Sequence, residues 1–115
     1  MSKLIKVVSL EDGMPSIEQA RARLNSELAI ARTRGVRILK IIHGYGSSGV
    51  GGDLRITMQS TLRPMADRRE VRVCIYGENW RTSDESTWAL LKQFRELKED
   101  RDLGKGNKGI TLVVL

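Results

Sequence analysis

The sequence predicts an α/β fold: a two-layer sandwich of about four strands in βαβα(ββ)-type order, with an extra helix before the last strand. Three observations predict it. Short apolar, β-branched runs (KLIKVVSL, VRILKII, EVRVCIY and ITLVVL) alternate with segments of helical periodicity. Turn-forming stretches, EDGMP and DLGKGNKG among them, separate the runs. The length, 115 residues, suits one domain spanning 1–115 and is enough to bury a core without staples.

Each element has a local cause. Residues 3–10 are apolar and β-branched enough for a first strand, which EDGMP ends. Ser16 then opens a helix, because SIEQ has the capping-box form in which the Ser16 and Gln19 side chains satisfy free backbone donors reciprocally. Ile17, Ala20, Leu24, Leu28 and Ala31 follow helical spacing, and Gly35 suits a left-handed stop. The run 36–42 is too short and too β-branched for a helix and reads as a central strand. Asp53 is placed to cap a second helix carrying Leu54, Met58, Leu62 and Met65, which Pro64 should kink or end near Arg63. A third strand is expected at 70–76. A third helix is expected from Ser83 to about Asp100, opened by TSDE and buried along Leu90, Leu91, Phe94 and Leu97. Trp88 is expected to pack with that stripe. Trp80 reads as a core or loop anchor, with an exposed stacking platform for a base as the alternative.

Between the second strand and the second helix lies HGYGSSGVGG, residues 43–52, with five glycines and the chain's single histidine. Gly44, Gly46 and Gly49 satisfy GxGxxG in a strand-to-helix setting, and Glu78 follows the next strand where a ribose partner could sit. That spacing is longer than the dinucleotide fingerprint uses, and no Walker-type GK[ST] follows, so a nucleotide cofactor ranks third among the readings. An anion site has wider support: glycines admit close backbone approach, and a helix start presents free amides. Arg55 lies in the following helix, and Arg34, Arg37 and Lys40 lie nearby in sequence. Tyr45, between two loop glycines, is a candidate for stacking or a hydroxyl contact. His43 stands at the carboxyl end of a central strand, where α/β folds collect ligand sites, and could bind phosphate or transfer protons; taken as a lone residue it reads more often as a structural hydrogen-bonder.

Charge placement agrees with an anionic partner. The formal charge is +6; residues 1–75 carry 13 Lys+Arg against 7 Asp+Glu, while 76–115 carry 7 of each. Such an excess suits a polyanion, although solvated helix faces account for arginines equally well. Arg21 and Arg23 could also pair with Glu18 or Glu27 along their helix. Cys74, the single cysteine, cannot form an internal disulfide and reads as a buried, inert thiol. No apolar run approaches a membrane span and no signal peptide is evident, so a soluble, cytoplasmic protein is expected.

The stretch RGVRILKIIHGYGSSGVGGDLR, with the closing GITLVVL, resembles the Smr domain, the small MutS-related module. Arg34 and Gly35 correspond to the start of its apolar strand, His43, Gly44 and Gly46 to HGxG, Leu54 and Arg55 to LR, and 109–115 to its glycine-led last strand. The resemblance implies a fold like the carboxyl-terminal domain of translation initiation factor three, binding of DNA or RNA, and in several members a DNA-nicking or RNA-cleaving activity. It gives His43 the catalytic candidacy, and Gly44, Tyr45, Gly46, Gly49, Arg55, Arg34, Arg37 and Lys40 candidacy for nucleic-acid contact. Two departures are visible. Where the family has LDxHG this chain has SLEDG, placing Glu11 and Asp12 where a histidine is expected, and 78–107 is longer than the usual link. Carboxylates there would repel phosphate unless a divalent metal bridged them, so Glu11 and Asp12 are either metal ligands or solvated turn residues. Two function classes stay open. One is a nucleic-acid-binding domain with or without endonuclease activity; the other is an inactive interaction module docking a protein through the helix at 83–100.

Overall fold

In the computed structural model, which describes residues 4–13, 15–45 and 50–115, four strands form one mixed sheet. They are β1 (Ile5–Ser9), β2 (Ile38–Ile42), β3 (Val73–Tyr76) and β4 (Ile110–Val114), in the spatial order β1-β2-β4-β3. β1 runs parallel to β2, while β4 runs antiparallel to both of its neighbours, β2 and β3. Its register, Ile38 opposite Val114 and Ile42 opposite Ile110, places the start of β4 beside the end of β2. β2 and β4 are nearly wholly buried, as their continuous apolar runs require when both faces are covered.

Helices α1 (Ile17–Thr33) and α2 (Val50–Asp67) cover one face. Ser16 caps α1 through the reciprocal Gln19 contacts, 3.1 Å and 2.9 Å, and Gly35, at φ +74, follows its end. Ala20, Leu24, Leu28 and Ala31 of α1 meet Leu54, Met58 and Leu62 of α2 over Val8, Leu39, Ile41 and Val113. Each aliphatic side chain buried in this way stabilises the fold by roughly 1.5–3 kcal/mol.

Three local expectations are corrected. The second helix begins at Val50, so Asp53 lies within its first turn instead of capping it, and it runs through Pro64 to Asp67. Pro64 is exposed and lies in the last turn, where the helix loses one backbone hydrogen bond and only three residues follow. The third helix, α3 (Glu85–Gln93), is shorter than 83–100. Its cap is Asp84, whose carboxylate accepts from the Thr87 N–H at 3.0 Å, and Phe94 (φ −128, ψ 86) breaks it before a 3₁₀ segment, Arg95–Glu99. That break lets Phe94 and Leu97 both join the second core.

α3 and the 3₁₀ segment cover the other face of the sheet. Leu90, Leu91, Leu97 and Trp80 pack there on Ile38, Ile75, Ile110, Leu112 and Val114, so the additional helix supplies a third layer. Trp80 is fully buried with its indole N–H on Asp100 at 3.2 Å, as a core anchor rather than a stacking platform. Trp88 does the opposite of what its helix suggested. The buried stripe runs Thr87, Leu90, Leu91, and Trp88, one position off it, is 52% exposed.

Candidate functional site

The carboxyl end of β2 is built around His43. Alternation along the strand sends Leu39, Ile41 and His43 toward the α1–α2 face, and β4 turns Thr111 and Val113 the same way. His43 is completely buried. Its Nδ1 lies 2.7 Å from the Gly44 carbonyl oxygen and its Nε2 lies 2.9 Å from Thr111 Oγ1. A carbonyl can only accept, so Nδ1 carries the proton and Nε2 accepts from the Thr111 hydroxyl in the neutral ring. Burial lowers the imidazole's pKa from its ordinary value, with nearby Arg55 acting in the same direction and the Gly44 hydrogen bond and Glu78 opposing.

The backbone repeats the clamp. The Gly109 carbonyl accepts from the N–H groups of both His43, at 2.9 Å, and Gly44, at 3.0 Å. Gly44 has φ +73, a left-handed conformation that turns the chain out of β2 into the loop. Gly109 must approach it closely: a Cβ there would sit 3.3 Å from the Gly44 Cα and 3.3 Å from the Tyr45 ring. Tyr45 is 58% exposed. Gly46 and Gly49 lie outside the described residues.

Arg55, one turn into α2, forms an ion pair with Glu78, which follows β3. Arg55 Nε and Glu78 Oε1 are nonetheless buried, with no hydrogen-bond partner among the described residues. Such orphaned polar atoms cost stability unless something satisfies them. Thr111 was not singled out from the sequence, and Glu78 only as a ribose partner. An alternating strand pattern shows which residues share a face, but not that a threonine on β4, paired with Ile41, would reach the His43 ring.

Lys40 is elsewhere. Even-numbered β2 residues face the second layer, and Lys40 is buried there with its ammonium 3.0 Å from Asp100 and 2.6 Å from Asp102. Its role is structural at a distance. Asn107 Nδ2 donates to Asp102 at 3.1 Å, and Asn107 Oδ1 accepts from the Gly109 N–H at 2.9 Å, so a polar chain runs from Lys40 to the carbonyl that holds His43. For Asp102, burial raises the carboxyl's pKa, but the hydrogen bonds from Lys40 and Asn107 outweigh it and the net direction is down.

Arg34 and Arg37 do not reach the loop either. Arg37 precedes β2 and His43 follows it, a separation of about 20 Å along an extended chain. Both arginines are exposed at the opposite end of the sheet, where the Leu115 N–H bonds the Arg37 carbonyl and the Arg72 N–H bonds that of Val114. Arg32 reaches across to the Glu70 carbonyl at 2.6 Å, bringing Arg68, Arg69 and Arg72 to the same end. Glu11 and Asp12 are exposed in the turn after β1, where Gly13 has φ +79, and Arg23 holds the Asp12 carbonyl at 3.2 Å. Among the described residues no group of three or more His, Cys, Asp or Glu is placed to hold a metal, and no helix is long and apolar enough to cross a membrane. Burial pushes the Cys74 thiol up to about 11, which leaves it unreactive at neutral pH.

No family model and no curated protein matches the sequence. The fold is similar to that of the Smr domain of MutS2 from Thermus thermophilus in its crystal structure. The two superpose with a TM-score of 0.59 at 21% identity, covering 96% of each chain. The chain is a small α/β domain with an Smr-like fold.

Because His43 is the single histidine, its titration can be isolated. The folded-state pKa lies below the unfolded value near 6.5, so the unfolded chain takes up the proton first and stability falls as pH drops below about 6.5. Urea unfolding across this range should show a slope approaching about 1.4 kcal/mol per pH unit. His43→Asn should lack that component.

Proposed function

We propose that this domain binds nucleic acid through its phosphate backbone, and that the arginine-rich end of the sheet is the contact surface. The observation that carries this is the cluster Arg32, Arg34, Arg37, Arg68, Arg69 and Arg72, all exposed and gathered where β2 and β3 begin and β4 ends. Of the acidic side chains beside them in sequence, Asp67 and Glu70, Glu70 pairs with Arg68 at 2.5 Å. Guanidinium groups suit phosphate oxygens because their planar donors match them in pairs. Arg69 strengthens the reading. It has φ +60, a left-handed conformation in which glycine would be less strained, so a side chain is kept there at a cost of roughly 1–2 kcal/mol. The Smr-like fold supports a nucleic-acid role as well.

The glycine-loop end contributes differently in this reading. His43 has both ring nitrogens engaged and holds the loop start in place, so it is a positioning residue and not an acid/base group. One observation favours cleavage as a second reading: the ion pair of Arg55 and Glu78, close enough to act on the His43 ring, leaves Arg55 Nε and Glu78 Oε1 buried with no partner among the described residues. In that reading a phosphoryl oxygen accepts from Arg55 while Glu78 takes the proton of an attacking water; as the water oxygen bonds to phosphorus, the bond from phosphorus to the leaving oxygen breaks and that oxygen takes a proton from solvent.

The backbone reading is tested by duplex affinity as a function of salt. Each phosphate contact removed should lower the slope of log K against log salt by about 0.9. Arg69→Gly should therefore weaken duplex binding while raising stability by up to about 1 kcal/mol, opposite signs that a merely unfolded variant cannot produce. A slope unchanged in the triple variant Arg34→Gln, Arg69→Gln, Arg72→Gln would overturn the contact surface. For cleavage, supercoiled plasmid and structured RNA are incubated with and without divalent metal. Wild type should cut and Glu78→Gln should not; no cutting in any condition leaves binding alone.

A further inference from the structure

We infer that the outer edge of α3 and the 3₁₀ segment after it is a separate binding site for single-stranded nucleic acid, with Trp88 stacking on a base and Lys92, Arg95 and Lys98 holding the phosphates. This goes beyond the backbone contacts proposed above to recognition of unpaired bases, and it rests on the nucleic-acid reading.

Four features meet there. Trp88 exposes its ring because it falls one position off the buried stripe of α3. The Lys92 ammonium, one turn on, sits 3.8 Å from the ring centroid, so ring and cation form one unit. Beyond them a cleft of about 380 Å³ is lined by Lys92, Arg95 and Lys98 over a floor of buried Leu91. The 3₁₀ geometry sorts the remaining charges. With three residues per turn, Arg95 and Lys98 eclipse each other on one edge, Glu96 and Glu99 eclipse each other on another, and Leu97 points into the core. An α-helix through the same residues would spread these signs around its surface. The break at Phe94 thus makes a cationic edge out of a segment whose net charge is balanced.

The edge also adjoins the arginine-rich end. The Arg37 guanidinium lies 5.2 Å from the Phe94 ring centroid, next to Arg95 in the chain. A strand whose phosphates follow Lys98, Arg95 and Lys92 can continue toward Arg37. A duplex hides its base faces in its own stack, whereas a single strand offers them to an aromatic ring, and stacking tolerates any base. A base on the indole displaces the Lys92 ammonium onto the adjoining phosphate.

The two tryptophans make the site directly readable. Trp80 is buried and bonded to Asp100, so its emission is a fixed background, and Trp88 reports alone. Titration with oligothymidylate should quench the Trp88 contribution. Trp88→Ala should weaken oligothymidylate binding roughly tenfold while leaving duplex affinity unchanged. The triple variant Lys92→Gln, Arg95→Gln, Lys98→Gln alters exposed side chains alone; it should keep the wild-type circular dichroism and lose both the quenching and part of the salt slope. If oligothymidylate binds and Trp88→Ala binds as tightly, the inference falls and the nucleic-acid reading stands. Binding of neither duplex nor single strand overturns both. Equal quenching by polyglutamate would assign the edge to an acidic protein partner and overturn the inference.

Discussion

A buried, neutral imidazole clamped between the last strand and the start of the glycine loop is the constraint on which the carboxyl end of the sheet depends. Its two nitrogens meet one donor and one acceptor, and the backbone on either side is tied to Gly109. A charged ring in that place would lose its hydration, and among the described residues the ring nitrogens meet a carbonyl and a hydroxyl, not a carboxylate. The clamp therefore favours one protonation state and one tautomer, and the loop leaves β2 from a fixed point. Gly77 and Gly109 make the close approaches that allow it. A Cβ at Gly77 would lie 1.7 Å from the Asn107 carbonyl oxygen, so the 100–109 connection can reach the sheet end only over a glycine.

The same connection ties the two faces of the sheet together. Lys40 is buried on the α3 side, yet through Asp102 and Asn107 it supports the carbonyl that holds His43 on the α1–α2 side. Breaking such a buried pair by removing one partner leaves an uncompensated charge and is strongly destabilising, which makes Lys40 a support of the site rather than a contact in it. The charge chemistry then divides by position. Arg55, at the loop end, is paired with Glu78, whereas exposed arginines gather at the far end and Lys92, Arg95 and Lys98 line the α3 edge. The two ends of the sheet thus differ in character, one exposing a cluster of arginines and the other a hydrogen-bonded histidine and an ion pair.

Much of the fold was legible because its causes are local. The α1 capping box, the apolar stripe of that helix and the four β-branched runs depend on neighbours within a few residues, and each yields its element, although the third strand is confined to Val73–Tyr76 where 70–76 is expected. The site was legible only in part. His43 and Gly44 stood out by composition, but nearness in sequence misled for Lys40, Arg34 and Arg37. Alternation puts Lys40 on the other face of β2, and the length of the strand carries the two arginines to the opposite end. Thr111 belongs to the site through antiparallel pairing with β2, a long-range register that no local pattern encodes. Trp80 is the buried anchor expected of it, whereas the exposure of Trp88 follows from one residue of helical phase, set by packing against the sheet.

The central claim, a locked neutral imidazole, is tested most directly by nuclear magnetic resonance of the His43 ring nitrogens across the pH range around 6.5. The account predicts protonated Nδ1 and unprotonated Nε2 at neutral pH, with no tautomer exchange and no titration of the folded protein near 6.5. A ring that titrates there like a solvated histidine, or that averages its two tautomers, would contradict it.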